Sequence, residues 1–379
     1  MSAPAAELVV RYQLTLAAGE DAEARARHLV REQTVEVPPG VASPQVEART
    51  LGRIRYLAPA GKGGRRFRLE AGFPGVTVGA DLPQLLNLLF GNISLQRGIR
   101  VEGVDWPAEL LAALPGPTFG VEGLRELAGA PAGRPLLAGA LKPLGLPSRD
   151  LARLAGECAR GGLDLVKDDH SLADQETAPF RQRVELCQSE IERANRAVGG
   201  HCLYVPNLTG PVDRLAERLE DLATFGCRAA MVAPMILGLD ALRALAASSG
   251  LALVAHPALA GAFFQPRHGL VPPLLLGDLF RLAGADAVIY PNAGGRFHFT
   301  LADCRAIQRR LRARLGGKRA AFAVLGGGID AACLAEWIPR YPADTVYLVG
   351  GSLLGARDLR AAAAELADVV RRVPPRRRA

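Results

Sequence analysis

The sequence predicts an α/β protein with a C-terminal (β/α)8 TIM barrel preceded by a smaller α+β, ferredoxin-like domain. Two observations carry this. From about residue 134 onward one unit recurs: a short apolar run of strand length, a turn rich in Gly, Pro or polar residues, then a longer stretch with helical periodicity. The 379 residues also suit one barrel of about 250 residues plus a second, smaller domain.

Eight such apolar runs can be counted, at 136–141, 163–167, 202–205, 229–232, 251–255, 286–289, 320–325 and 345–349. Helix-like segments follow them at 148–160, 180–197, 211–225, 239–249, 274–283, 302–315, 331–341 and 356–372. Strands that are apolar almost throughout are covered on both faces, which points to a closed parallel barrel rather than an open sheet. The first 125 residues lack this repeat. Strands at 8–16, 47–58 and 65–70 and helices at 21–32 and 82–90 suggest a separate α+β domain. The expected division is 1–125 and 126–379, with linkers at 116–120 and 129–135.

Composition excludes some functions. With 49% hydrophobic and 22% charged residues the chain can bury a substantial core. Charges or prolines interrupt every long apolar stretch, and the N-terminus lacks the basic and apolar regions of a signal peptide. A cytoplasmic protein without membrane partners is expected. The net charge of +8 arises from arginines scattered along amphipathic segments, and only 371–378 forms a dense basic run. That pattern is a solvated surface and argues against nucleic acid as a partner. The six cysteines show no CxxC spacing and read as reduced packing residues.

Of 46 basic residues only four are lysines, Lys62, Lys142, Lys167 and Lys318. A chain that uses arginine for ordinary positive charge reserves lysine for work guanidinium cannot do, since a lysine can lose its proton and arginine in practice cannot.

In a barrel of this kind, chemistry sits where strands end and the next loops begin. Those positions hold Lys142 after the first strand, then Lys167, Asp168, Asp169 and His170 after the second. Asn207 follows the third, His256 the fifth and Asn292 the sixth; the last two strands end in Gly326, Gly327, Gly328 and in Gly350, Gly351, Ser352. Two of the four lysines are thus neighbours at the barrel mouth. Alternation along a strand turns Lys167 and Asp169 to one side, with His170 free to turn toward the same point. A neutral lysine amine can take up CO2 as a carbamate, an oxygen ligand suited to Mg2+. The same spacing equally allows a Lys167–Asp169 salt bridge. The glycine clusters after the last two strands expose backbone N–H groups, a usual phosphate cradle.

The segment GGLDLVKDDH, ending at His170, resembles the part of the RuBisCO large chain that carries its carbamylated lysine and metal-binding acidic neighbours. ALKPLGL resembles the segment with the catalytic lysine after the first strand, LGGGID and LVGGSL the two phosphate loops, and REQTVEVP and LLFGN the N-terminal segments that reach a partner subunit's site. The resemblance covers nearly the whole chain in order and is to the RuBisCO-like proteins of that family. It implies that Lys167 is a carbamylated metal ligand, Asp169 a second ligand and Lys142 an acid/base group. It also implies that His256 contacts substrate and that Glu32 and Asn92 complete the site across a homodimer, or across dimers multiplied into a larger assembly. Asp168 faces the other way and is structural.

Four departures mark the chain off from the carboxylase. His170 stands where the family motif continues with Glu, so the third ligand becomes a nitrogen donor or is lost, and Mn2+ or Fe2+ joins Mg2+ as an expected ion. Leu144 replaces a second lysine, Pro257 and 258–261 replace the groups that hold a second phosphate, and NAGGRFHF leaves Arg296 as the nearest cation in the loop after the sixth strand. Enolate formation on a small phosphorylated keto-sugar or oxo-sugar acid, leading to tautomerisation, isomerisation or decarboxylation, is the function implied. Two other readings stay open: a regulatory sugar-phosphate-binding member with a degenerate metal site, and a true ribulose-bisphosphate carboxylase.

Overall fold

The computed structural model describes residues 7–79 and 81–372. They divide into two units. One comprises the described residues up to Leu114 together with Leu259–Leu275 and Arg314–Lys318, and the other Pro115–Ala258, Leu276–Ala313 and the described residues from Arg319 onward. The basic stretch from 373 lies outside the described residues. Among the described residues no helix is long and apolar enough to cross a membrane.

The strands, in chain order, are β1 (Leu8–Thr15), β2 (Arg53–Pro59), β3 (Arg66–Phe73), β4 (Ile99–Asp105), β5 (Leu136–Leu141), β6 (Leu165–Asp168) and β7 (Leu203–Val205). They continue as β8 (Ala229–Val232), β9 (Ala252–Ala255), β10 (Phe264–Gln265), β11 (His268–Leu270), β12 (Ala287–Pro291), β13 (Phe322–Gly326) and β14 (Thr345–Val349).

The first unit is a mixed sheet in the order β10-β11-β4-β1-β3-β2. Its central strand β1 alternates strictly, burying Leu8, Val10, Tyr12 and Leu14 on one face. The helix Ala22–Glu32 starts at Asp21, whose side chain accepts from Ala24 N, and buries Ala26, Leu29 and Val30. Two features differ from the sequence reading. The strand expected from 47 is helix over Pro44–Thr50, because Ser43 caps it and Pro44 pre-sets its first turn; β2 begins only at Arg53. Besides β4, the sheet also gains the hairpin β10–β11 from far along the chain, β11 pairing parallel to β4 at Gly269↔Arg100. Gly269 has φ +103°, and a Cβ there would strike the Phe263 carbonyl, so the hairpin needs glycine at that point.

The second unit is the barrel, in the order β7-β6-β5-β14-β13-β12-β9-β8. All its ladder pairings are parallel. The ring closes between β7 and β8 through an Asn207↔Met231 bridge, in which Met231 N donates to Pro206 O at 2.8 Å and Leu208 N to Met231 O at 2.8 Å. Alternate side chains such as Ala138, Leu165, Val254, Ile289 and Val324 fill the lumen. The helix Gly120–Leu127 adds Val121 and Leu124 to that same cluster. It is fastened by Asp286, fully buried, which accepts from Phe119 N and Gly120 N at 2.7 Å and Leu253 N at 2.8 Å. Burial pushes that carboxyl up to about 6 against the three donors that pull it down. All six cysteines are free thiols, five of them buried, which agrees with their reading as packing residues.

One ion pair sits between the barrel wall and its helices. Asp168 and Arg183 have no exposed side-chain surface; Arg183 Nε donates to Asp168 Oδ2 at 3.1 Å, and its other nitrogens to Ala178 O at 2.6 Å and Ala173 O at 2.8 Å. Tyr204 Oη donates to Asp168 Oδ1 at 2.7 Å and Asn207 N to Oδ2 at 2.9 Å. Arg183→Met would strand this carboxylate in the interior, and denaturant unfolding should show a loss of about 3–5 kcal/mol. A loss below about 1 kcal/mol would mean that the pair carries no such weight.

Candidate active site

The loops at the C-terminal ends of the barrel strands bring the expected side chains together. Lys167, at the end of β6, points into the lumen and is 5% exposed. Its Nζ donates to Asp168 O at 2.7 Å, and below it a cavity of about 10 Å³ is lined by apolar groups including Ala138, Leu165 and Val205. Such surroundings disfavour an ammonium. Burial, reinforced by the charge of Lys142 and only partly opposed by Asp168, lowers the Lys167 pKa to about 7.

Asp169 is the hub. Its Oδ2 forms an ion pair with Lys142 Nζ, and its Oδ1 faces His170 Nδ1 at 2.9 Å and accepts from Ser171 N at 3.1 Å and Ser171 Oγ at 2.9 Å. The Lys167–Asp169 salt bridge that spacing allowed is therefore not formed; Asp169 pairs with Lys142, from the neighbouring strand. Burial and the positive charge of Arg296 push Lys142 below the ordinary lysine range, while the ion pair favours its charged form.

His170 and His256 stack, with ring centroids 4.5 Å apart and planes 9° from parallel. Burial lowers both, with Lys167 and Lys142 adding to it, and His256 falls to about 2. Burial thus disfavours the charged form of both rings. His256 Nδ1 accepts from Ala258 N at 3.1 Å, which leaves the proton on Nε2 and makes that atom a donor. His170 Nδ1 faces a carboxylate and carries its proton there, so its Nε2 keeps a lone pair.

The glycine loops leave room beside several of their residues. Gly327, at φ +91°, and Gly351 have no atom within 4 Å of where a Cβ would stand, and a Cβ on Gly350 would lie 4.0 Å from Lys142 Cε. Ser352 Oγ donates to Ile329 O at 2.7 Å and ties the two loops together. Gly326 ends β13 and Gly328, at φ +66°, leads into Ile329. Asn207 spends both amide protons on His170 O and Leu172 O, at 3.0 and 2.9 Å, and Asn292 Oδ1 accepts from Tyr341 Oη at 2.8 Å. These amides shape loops. Arg296 is exposed, its guanidinium 4.9 Å over the Phe297 ring.

In the first unit, Asn92 Nδ2 donates to Glu32 Oε1 at 3.3 Å and to Glu36 Oε1 at 2.7 Å. Glu36 escaped sequence reasoning, as did the Arg183–Tyr204 anchor of Asp168. Neither has a signal in residue spacing.

The family model of the ribulose bisphosphate carboxylase large chain, catalytic domain, matches residues 120–299. A 5-methylthioribulose-1-phosphate isomerase of Rhodospirillum rubrum is 40% identical over 338 residues, 89% of this chain and 88% of its own. The crystal structure of a Rubisco-like protein from Rhodopseudomonas palustris superposes with a TM-score of 0.89 at 37% identity, covering 99% of this chain and 100% of that one. The chain belongs to the RuBisCO-like proteins of the RuBisCO large-chain family. Another relative of this RuBisCO-like chain is a 2,3-diketo-5-methylthiopentyl-1-phosphate enolase of Geobacillus kaustophilus, 35% identical over 310 residues, 80% of this chain and 74% of its own.

The depressed lysine has a measurable consequence. Lys167 titrates near 7 in the fold and near its ordinary 10.5 when unfolded, so in that window the unfolded chain holds the extra proton and stability rises with pH. In urea unfolding free of metal and bicarbonate, the chain should gain stability relative to Lys167→Met between pH 7 and about 9. Parallel profiles for the two proteins would rule out the depressed amine.

Proposed function

We propose that the chain enolises a small phosphorylated ketose, in the class of the methylthio-sugar phosphates that its relatives' names carry, and that the outcome is isomerisation or tautomerisation rather than CO2 fixation. The observation that carries this is the meeting of Lys142, Lys167, Asp169, His170 and His256 at one barrel mouth beside two open glycine loops. Among the described residues, Lys142 and Arg296 outnumber Asp169, the carboxylate paired with Lys142, which favours an anionic substrate.

The donor set fits a divalent cation under one condition. Among the described residues no three His, Cys, Asp or Glu side chains gather as a metal would require, so a three-ligand site needs Lys167 to become an oxygen donor by taking up CO2. Its low pKa supplies the neutral amine. Lys142 already holds a positive charge against Asp169 Oδ2, the position a metal would take. Asp169, a Lys167 carbamate and His170 Nε2 would then hold the ion, Mg2+ by its oxygen donors, or Mn2+ or Fe2+ by the nitrogen. Bound there, it would polarise the substrate carbonyl.

The chain's own groups do the rest. Lys142 Nζ, released from Asp169 and relieved of its own proton, which burial and Arg296 make easier to lose, takes the proton from the carbon beside the carbonyl. His256 Nε2–H donates to a substrate oxygen, and the N–H groups of Gly327, Gly328, Gly350 and Gly351 hold the phosphate. Glu32 and Asn92 complete the site of a second copy in a homodimer. The absence of a cation at Leu144 and Pro257 removes groups a carboxylase needs after enolisation.

Two experiments test this. Lys142→Ala should slow exchange of the carbon-bound proton of 5-methylthioribulose 1-phosphate with deuterium oxide by about 10²–10⁴-fold. Unchanged exchange would move the base role to Lys167. Lys167→Arg should keep the fold by circular dichroism but lose Mg2+- or Mn2+-binding measured after incubation with bicarbonate, because guanidinium forms no carbamate; retained binding would sink the carbamate assignment.

A further inference from the structure

Glu36 has φ +59°, a left-handed conformation that is costly for a residue with a Cβ and ordinarily given to glycine. The chain places a glutamate there and holds it from both sides. Arg31 O, in the last turn of the helix Ala22–Glu32, accepts from Thr34 N at 3.1 Å and from Glu36 N at 2.9 Å, while Arg31 Nη1 donates to Val37 O at 3.0 Å. A strained residue persists only where its surroundings over-determine it, and strain retained in this way points to a use for the side chain.

The use is visible at Asn92. Its Nδ2 lies 2.7 Å from Glu36 Oε1 and 3.3 Å from Glu32 Oε1, so Glu36 makes the shorter bond of the two. Carboxylates only accept, so both amide protons turn toward them and Oδ1 is turned the other way. Asn92 itself is exposed.

We propose that Glu36 is a positioning residue for Asn92: by taking one amide proton while Glu32 takes the other, it fixes the amide so that Asn92 presents Oδ1, a pure acceptor, to a hydroxyl or ammonium group in the site it completes. This rests on the shared-site reading above. Glu32 alone, through a bond at the long end of the range, leaves the amide free to rotate and offer a donor where an acceptor is required.

The test combines catalysis with a signal from the amide itself. In selectively 15N-asparagine-labelled protein, the Asn92 side-chain resonance is assigned by its loss in Asn92→Asp. Glu36→Ala should shift that resonance and lower kcat for exchange on 5-methylthioribulose 1-phosphate by about tenfold or more, with KM changed far less. Glu36→Gln keeps an acceptor oxygen and should rescue kcat to within about threefold of the unsubstituted chain. Glu36→Gly relieves the backbone strain, so its Tm should hold or rise while kcat falls as in Glu36→Ala. An unmoved resonance or an undiminished kcat in Glu36→Ala overturns the proposal, and so does a Glu36→Gln as impaired as the alanine. An unsubstituted chain that exchanges no proton overturns the proposed activity instead, while the resonance still reports whether Glu36 holds Asn92.

Discussion

The barrel mouth depends on one buried carboxylate. Asp168 meets Arg183, the Tyr204 hydroxyl and the Asn207 amide with no surface left to water. Taking a carboxylate and a guanidinium out of solvent is costly, and the cost is offset here because their hydrogen-bonding positions are matched by protein groups. Fixing Asp168 outward has a geometric result. Side chains alternate along β6, so Lys167 must point into the lumen and the chain leaves the strand with Asp169 at the mouth.

From that placement the electrostatics follow. Lys167 ends above apolar side chains and a cavity with room for about one water, which is why its charge is disfavoured. Asp169 is then shared between Lys142 and His170. Burial and the lysine charges disfavour protonated imidazoles, leaving one ring nitrogen as a donor and another as a lone pair. With Lys142, Arg296 and two imidazoles gathered around Asp169, the charge at the mouth favours an anionic ligand.

Much of this was legible beforehand, for physical reasons that differ from residue to residue. The strand ends could be located because fully buried parallel strands are short apolar runs bounded by turn residues, and the barrel rule assigns chemistry to those ends. Lysine scarcity marked Lys142 and Lys167, and alternation set Asp168 apart from its neighbours. The helix at Pro44–Thr50 was mistaken for strand because its seven residues bury nothing and so carry no periodic signal. The hairpin β10–β11 was missed because two- and three-residue strands have no pattern of their own and are held by a sheet more than 150 residues away in sequence.

The sequence by itself determined the eightfold strand–helix order, the residues at each strand end and, through its motifs, the family. These are local properties, carried by periodicity, by turn chemistry and by residue type. Only the tertiary structure decided which lysine Asp169 would pair with, that His170 and His256 would stack, and that Glu36 would turn left-handed to reach Asn92, 56 residues away. Each of those outcomes depends on the distance between groups from different strands or loops. At the barrel mouth such distances are set by closure of the barrel, at Glu36 by the way its loop folds back on the end of the preceding helix, and no spacing along the chain encodes them.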